Sequence, residues 1–261
     1  MNKNINFIKM TAQGNNYIYL DNRDFRYEEI DFSGLSKAIS CVRFGIGSDG
    51  LVVLENDEDA VCLMRIFNSD GSQAKMCGNA LRCVAYLLAE EGHINPIRIN
   101  TLSGIRIAEV DIKTKNVKVN MGLPKFIEQY ESDNILGNIV DIGNQHLIIH
   151  NNIALTRKEF LEIAEKLQAS SVFPDGINIE LIDILDRKRI QAIVYERGSG
   201  LTYACGSGAS ALFWDCYRNG LVDDSVIIKL DGGDIKVSWE NNNVILEGEV
   251  KHIGSGTFYW R

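Results

Sequence analysis

Long apolar runs are missing from this chain of 261 residues. No stretch reaches the ~18 apolar residues that a membrane span requires. Met1-Asn2-Lys3-Asn4 leads directly into a short strand pattern instead of a secretory leader. A cytoplasmic protein with no membrane partner is therefore expected. Long basic runs are missing too: 27 Lys and Arg stand against 35 Asp and Glu, a net charge of −8 that would repel nucleic acid. Histidine is scarce, and the four present do not cluster with the six cysteines, which include no C-x-x-C spacing, so no metal site is expected. A disulfide framework is equally unexpected in a leaderless chain of this length. Phosphate-loop spacing is absent as well. Gly45-Ile46-Gly47-Ser48-Asp49-Gly50 comes nearest to a dinucleotide fingerprint, but its third glycine falls one residue early and strand residues follow it instead of a helix.

What the chain has is a repeat. Cys77-Gly78 and Cys205-Gly206 each open a helical pattern, and each pattern runs to a glycine fifteen residues beyond its cysteine, Gly92 and Gly220. Residues 65–92 map onto 193–220 without a gap. At a shift of 128 or 129 residues the echo extends to Gly14-Asn15 with Gly143-Asn144, Phe44 and Gly47 with Phe173 and Gly176, and Asp49 with Asn178. A repeat this long implies two similar domains, not a solenoid of short units, and the length suits two modest cores. The halves are read as 1–122, carrying Cys77, and 123–261, carrying Cys205, with a boundary near Leu123-Pro124 and a C-terminal tail free to cross back to the first half.

Period-two alternation and short apolar runs mark strands at 5–10, 17–20, 51–54, 62–66, 105–110, 117–121, 235–239 and 244–247. Helical spacing is confined to 32–41, 81–91, 156–167 and 209–219, the third opened by a Thr156/Glu159 capping box. Many short strands with one long central helix per half indicate an α+β fold. The expected architecture is two pseudo-symmetric domains, each a mostly antiparallel sheet wrapped round its helix.

A thiol at a helix start, once per half, is the chemically informative pattern. Free backbone N–H groups and the helix dipole favour a thiolate there, and the same amides form an anion site suited to a carboxylate. Two such thiols facing each other across a cleft would supply an acid and a base on opposite sides of one carbon. The amides would stabilise charge developing on a carboxylate as an α-proton leaves. Taken one motif at a time, Gly78, Gly206 and Gly208 fit plain tight turns and close helix packing equally well; the duplicated thiol tips the reading to function. Cys41, Cys62, Cys83 and Cys216 lie among apolar residues and read as small buried hydrophobes.

Asn68-Ser69-Asp70-Gly71-Ser72 with Met76-Cys77-Gly78-Asn79, and Glu196-Arg197-Gly198-Ser199-Gly200 with Ala204-Cys205-Gly206-Ser207-Gly208, closely resemble the diaminopimelate epimerase family. Lys9-Met10, Gly14-Asn15, Gly45-Ile46-Gly47, Asp49-Gly50, Gly143-Asn144 and His146 follow in the expected order, so the resemblance runs from Phe7 to about Val250. It implies an active site in the cleft between two domains, and inversion at one α-carbon of an amino acid without pyridoxal phosphate, metal or any other cofactor. It implies that Cys77 and Cys205 are the acid–base pair and that Gly78, Asn79, Gly206 and Ser207 hold the carboxylate at the reacting centre. Asn15, Asn68, Asn144, Asn178, Glu196 and Arg197 would line the rest of the pocket. The resemblance also puts His146 and Glu196 near the thiols, where an imidazole favours a thiolate and a carboxylate disfavours one. Without the family, His146 fits a structural histidine at a strand end, and asparagines fit turn chemistry.

The implied reaction is conversion of L,L-diaminopimelate to the meso form, for lysine and peptidoglycan synthesis. The chain departs from the family pattern at Thr11-Ala12-Gln13, Asn16, Ala80 and Gln145, none of which removes a catalytic group. These departures keep open a cofactor-independent racemase of another amino acid, such as histidine. An isomerase of the phenazine-pathway type, which lacks the cysteine pair, and a non-catalytic binding protein are alternatives that the intact pair argues against. The oligomeric state stays open, a homodimer included; the tail at 251–261, glycine-rich and then aromatic, departs from the family near an expected dimer contact.

Overall fold

The computed structural model describes residues 3–27, 29–132 and 135–260. Met1, Asn2 and Arg261, the outer ends of the leading and trailing segments singled out above, lie outside the described residues. The chain forms two compact units, one of residues 1–119 with 248–261 and one of residues 120–247. Among the described residues no helix is long and apolar enough to cross a membrane.

The first unit begins with β1 (Lys3–Ala12), β2 (Asn15–Asp21), α1 (Phe32–Ser40), β3 (Gly50–Glu55), β4 (Cys62–Asn68) and β5 (Gln73–Ala74). It continues through α2 (Gly78–Glu90), β6 (Ile97–Asn100), β7 (Arg106–Asp111) and β8 (Asn116–Gly122), within which the boundary falls. The second unit holds β9 (Lys125–Ser132), β10 (Ile135–Asp141), β11 (Gln145–His150), α3 (Arg157–Gln168), β12 (Asn178–Asp186) and β13 (Arg189–Glu196). After these come β14 (Gly200–Thr202), α4 (Gly206–Arg218), β15 (Ser225–Leu230), β16 (Gly233–Glu240) and β17 (Asn243–Glu249); β18 (Lys251–Trp260) then closes the chain in the first unit.

Both units are wired alike. In the first, β18, β1 and β2 pair antiparallel, and β2 lies parallel to β3 across α1. Strand β4 runs antiparallel to β3 and β5, and lies parallel to β6 across α2, before the β6–β7–β8 meander. The second unit repeats this with β9, β10 and β11, then β12 across α3, β13 with β14, β15 across α4, and the β15–β16–β17 meander. Each parallel pair needs a long crossover, and the helices supply it. The first-unit counterpart of β9 is β18, drawn from the far end of the chain.

Helix roles follow from their apolar pattern. Helix α1 buries one face, Phe32, Leu35 and Ile39, in the first unit's core, and α3 does the same with Phe160, Ala164 and Leu167 in the second. Helix α2 is buried nearly all round, as only a central helix can be. Thr156 and Glu159 form the reciprocal capping box at the start of α3. Helices α2 and α4 start earlier than apolar spacing predicts, because Gly78-Asn79-Ala80 and Gly206-Ser207-Gly208 form their first turns behind cysteine N-caps. The asparagine-rich turn between β16 and β17 places Asn241 and Asn242 at φ 50° and 60°, the left-handed geometry tight hairpins require.

Candidate active site

Cys77 is the N-cap of α2, in extended backbone at φ −143° and ψ 118°. Its half-buried thiol donates to Asn15 Oδ1 at 3.7 Å, and Asn79 Nδ2, on the first helical turn, approaches the same oxygen at 3.5 Å. Asn15 is fixed from its other side, where Nδ2 donates to Asp49 Oδ2 at 2.9 Å. That carboxylate oxygen also receives the Asn16 N–H at 2.6 Å. Burial nevertheless raises the Asp49 pKa, outweighing these donors and the Lys9 charge. The Asp49 carbonyl accepts the Ser69 N–H at 3.0 Å, tying in the neighbouring turn on which Asn68 Nδ2 donates to Ser72 Oγ at 3.0 Å.

Cys205 caps α4 in the same extended backbone, at φ −123° and ψ 116°. Its sulfur accepts the Gly208 N–H at 3.3 Å and lies 3.3 Å from Ser207 Oγ. The electrostatic setting is the reverse of what a helix start suggests. Burial first, then the Glu196 and Glu180 charges, push this thiol well up, against the weaker help of Ser207 and Gly208. The expectation that both helix-start thiols are lowered is therefore corrected at Cys205.

Glu180 is the residue that sequence reasoning missed. Its Oε1 sits 2.7 Å from His146 Nδ1, both side chains fully buried, while Oε2 has no hydrogen-bond partner among the described residues. Strands β11 and β12 are parallel with His146 opposite Asn178, so Glu180, two residues on, shares its face of the sheet. The available signal was a lone charge in the apolar run from Ile177 to Ile182. Gly208 makes room for it: a Cβ there would stand 2.3 Å from Glu180 Oε1. The other ring nitrogen of His146 lies 3.2 Å from Asn144 Oδ1. Glu196, also raised by burial, accepts a hydrogen bond from Thr202 Oγ1 at 2.5 Å. Asn178 donates to the Gln145 carbonyl at 2.9 Å and accepts the Arg197 N–H at 3.1 Å, which leaves the Arg197 side chain exposed.

Each unit thus assembles its own part of the expected set: Asn15, Asn68, Cys77, Gly78 and Asn79 in the first, and Asn144, His146, Asn178, Glu196, Arg197, Cys205, Gly206 and Ser207 in the second. The other cysteines stand apart from this chemistry. Burial pushes Cys62 and Cys83 up to about 12 and raises Cys216 as well. Cys41 departs from its expected burial. It is the half-exposed C-cap of α1, lowered by the backbone N–H groups of Arg43 and Phe44, and its apolar neighbour Val42 is itself exposed. His146, Glu180 and Cys205 present one nitrogen, one oxygen and one sulfur within 4.8 Å of one another, a donor set that suits a thiophilic cation such as zinc.

Comparison with known proteins bears on what these groups do. The sequence model of a family described as diaminopimelate epimerase matches residues 7–127 and 138–253. A diaminopimelate epimerase of Acetivibrio thermocellus is 38% identical over 260 residues, covering 91% of each chain. One from Brachyspira hyodysenteriae is 32% identical, covering 97% of this chain and 98% of its own. Among solved structures, a Bacillus anthracis phenazine biosynthesis protein of the PhzF family superposes with a TM-score of 0.75 at 15% identity, covering 98% of this chain and 99% of its own. A hydroxyproline epimerase from Agrobacterium vitis gives 0.74, also at 15% identity, covering 98% of this chain and 91% of its own. At that identity the two structures speak for the fold alone.

Proposed function

Because this chain belongs to the diaminopimelate epimerase family, we propose that it is an isomerase interconverting L,L- and meso-diaminopimelate through its two helix-capping thiols. The observation that carries the reading is that each unit caps one of its helices with a cysteine, under first-turn amides able to hold a carboxylate. In the forward direction a Cys77 thiolate takes the α-proton: an S–H bond forms, the C–H bond breaks, and the electron pair spreads into the α-carboxylate. The N–H groups of Gly78, Asn79, Gly206 and Ser207 stabilise that charge. The Cys205 thiol then delivers its proton to the opposite face, leaving the centre inverted and the protonation states of the two cysteines exchanged. Cys205 suits the donor role because burial and two carboxylates hold its proton. The two thiols supply both proton transfers, so the chemistry calls for no cofactor.

Substrate choice rests on the distal amino-acid head. Arg197 can grip its carboxylate bidentately, Asn68 and Asn178 can share it, and Glu196 can receive the distal ammonium. The product feeds lysine and peptidoglycan synthesis. The test is α-proton exchange in deuterated buffer together with kcat/KM for L,L-diaminopimelate, L-histidine and other simple amino acids. Diaminopimelate should be preferred. A monocarboxylic amino acid turned over faster would overturn the substrate and leave family membership intact.

A further inference from the structure

Arg82 has no carboxylate hydrogen-bonded to it among the described residues. It lies on α2 five residues after Cys77 and is fully buried. Helical side chains lean toward the N-terminus of their helix, and the Arg82 guanidinium accordingly sits beside the first turn. There Nη2 donates to Asn79 Oδ1 at 2.6 Å and to Gln13 Oε1, while Nε and Nη1 find no hydrogen-bond partner among the described residues. Gly248 closes the enclosure, since a Cβ at that position would lie 2.6 Å from Nη1. Burial brings the Arg82 pKa down to about 10, which still leaves a cation at neutral pH.

The titratable groups acting on Arg82 are Cys77, Cys83 and Tyr19. Burial holds Cys83 up at about 12 and Tyr19 well above its ordinary value, so neither is an anion near neutral pH. Asp49 lies beyond Asn15, with Lys9 acting on it. Cys77 is the remaining group able to carry negative charge. Arg82 bonds Asn79 Oδ1, and the Asn79 amide and the Cys77 thiol meet on one acceptor, Asn15 Oδ1, so Arg82 acts on Cys77 through its charge and through the placing of Asn79. At the shift of the repeat, Ser210 takes the place of Arg82 on α4, buried and bonded to the Gly206 carbonyl at 2.8 Å. His146, Glu180 and Glu196 likewise fall opposite Tyr17, Leu51 and Asn68. The first unit therefore places a buried cation near its thiol, and the second places the buried Glu180 and the half-buried Glu196 near its own.

We propose that Arg82 is a positioning residue that orients Asn79 and favours the thiolate of Cys77, so that the resting protein carries its base at Cys77. This rests on the two-thiol reading above and adds the group that breaks the symmetry between the thiols.

The experiment is site-resolved alkylation. Full-length reduced protein is labelled with iodoacetamide at pH values from about 5 to about 10, and the label on each cysteine is read by mass spectrometry. In the unmodified chain Cys77 should label about tenfold or more faster than Cys205 at neutral pH. Arg82→Met should move the Cys77 midpoint up by about one pH unit or more, and Arg82→Lys should leave it near its starting value. Faster labelling of Cys205 in the unmodified chain overturns the proposal. So does a folded Arg82→Met protein with an unmoved Cys77 midpoint. Should Arg82→Met not fold, Arg82→Gln, which removes the charge but can still bond Asn79, takes its place with the same upward shift expected, and an unmoved Cys77 midpoint there overturns the proposal. Labelling uses no substrate, so a chain inert toward diaminopimelate but with Arg82-dependent labelling would overturn the function and support this inference. Normal epimerisation with an Arg82-independent profile would do the reverse.

Discussion

At Cys205 three effects compete, and their sizes settle the outcome. A helix N-terminus contributes about 0.3–1 kcal/mol toward the anion, rarely ~2. Burial of an ionised group shifts its pKa by up to ~3–5 units, and nearby carboxylates act in the same direction. Burial and charge win, so the helix-start motif does not lower the thiol at Cys205. Glu180→Gln removes one of those charges at nearly constant shape, so it should lower the pH at which Cys205 is alkylated by about one unit. An unmoved midpoint would show that burial alone sets Cys205. Gly208→Ala should cost about 1–3 kcal/mol in urea unfolding, because Glu180 can yield space only by leaving His146. Equal stability of this variant would mean that Glu180 has another place to go. Histidine and glycine were visible in the sequence as site and turn residues; the carboxylate between them was not, because strand patterning does not reveal which neighbour a buried charge will meet.

Among the elements, α4 is fastened to the second unit's sheet through Asp215. Its fully buried carboxylate takes two bonds from Asn138 Nδ2 at 3.1 and 3.0 Å, lies 3.2 Å from His150 Nε2, and pairs with Arg218 at 3.0 Å. Burial opposes ionisation, but His150, Asn138 and Arg218 together outweigh it and lower the Asp215 pKa. The sign is therefore fixed. The folded pKa lies below the unfolded value near ~3.9, so the stabilisation is complete above that value and is lost as pH falls through the folded one. Asp215→Asn should destabilise by about 3 kcal/mol at neutral pH, and its deficit against the unmodified protein should close in acid. A constant deficit across that range would contradict the ionised network. Thr156→Ala, which opens the α3 capping box, should cost only about 1 kcal/mol by the same unfolding measurement. That cap was legible because it is local, four residues reading one another. The Asp215 network was not, since its partners come from β10, β11 and α4.

For the molecule as a whole, the chain's last strand matters most to its first residues. Strand β18 pairs along the length of β1, and Phe258 and Trp260 pack against the core cluster that holds Ile5, Ile18 and Leu35. Ending the chain at Val250 should therefore loosen the first unit. Hydrogen exchange should speed up along β1 and β2 while the cluster around Phe160 and Ile179 in the second unit stays protected. Uniform loss of protection in both units would show that their stabilities cannot be separated.

The sequence by itself determined the duplication, the four helices, eight of the strands with a buried face, and the placement of one thiol at the start of a helix in each half. All of these are encoded in spacing, because a helix or a half-buried strand repeats its burial at a fixed period. It did not mark β10, β12, β13 and β15, although each buries a face, nor β9 and β18, whose residues are almost all exposed and so carry no alternation. The tertiary structure alone decided that the tail returns to β1, that Glu180 meets His146, and that Arg82 is enclosed with no carboxylate bonded to it among the described residues. Those outcomes depend on residues far apart in sequence arriving at one place, and an ionisable group acquires its character from the neighbours and the water it finds there.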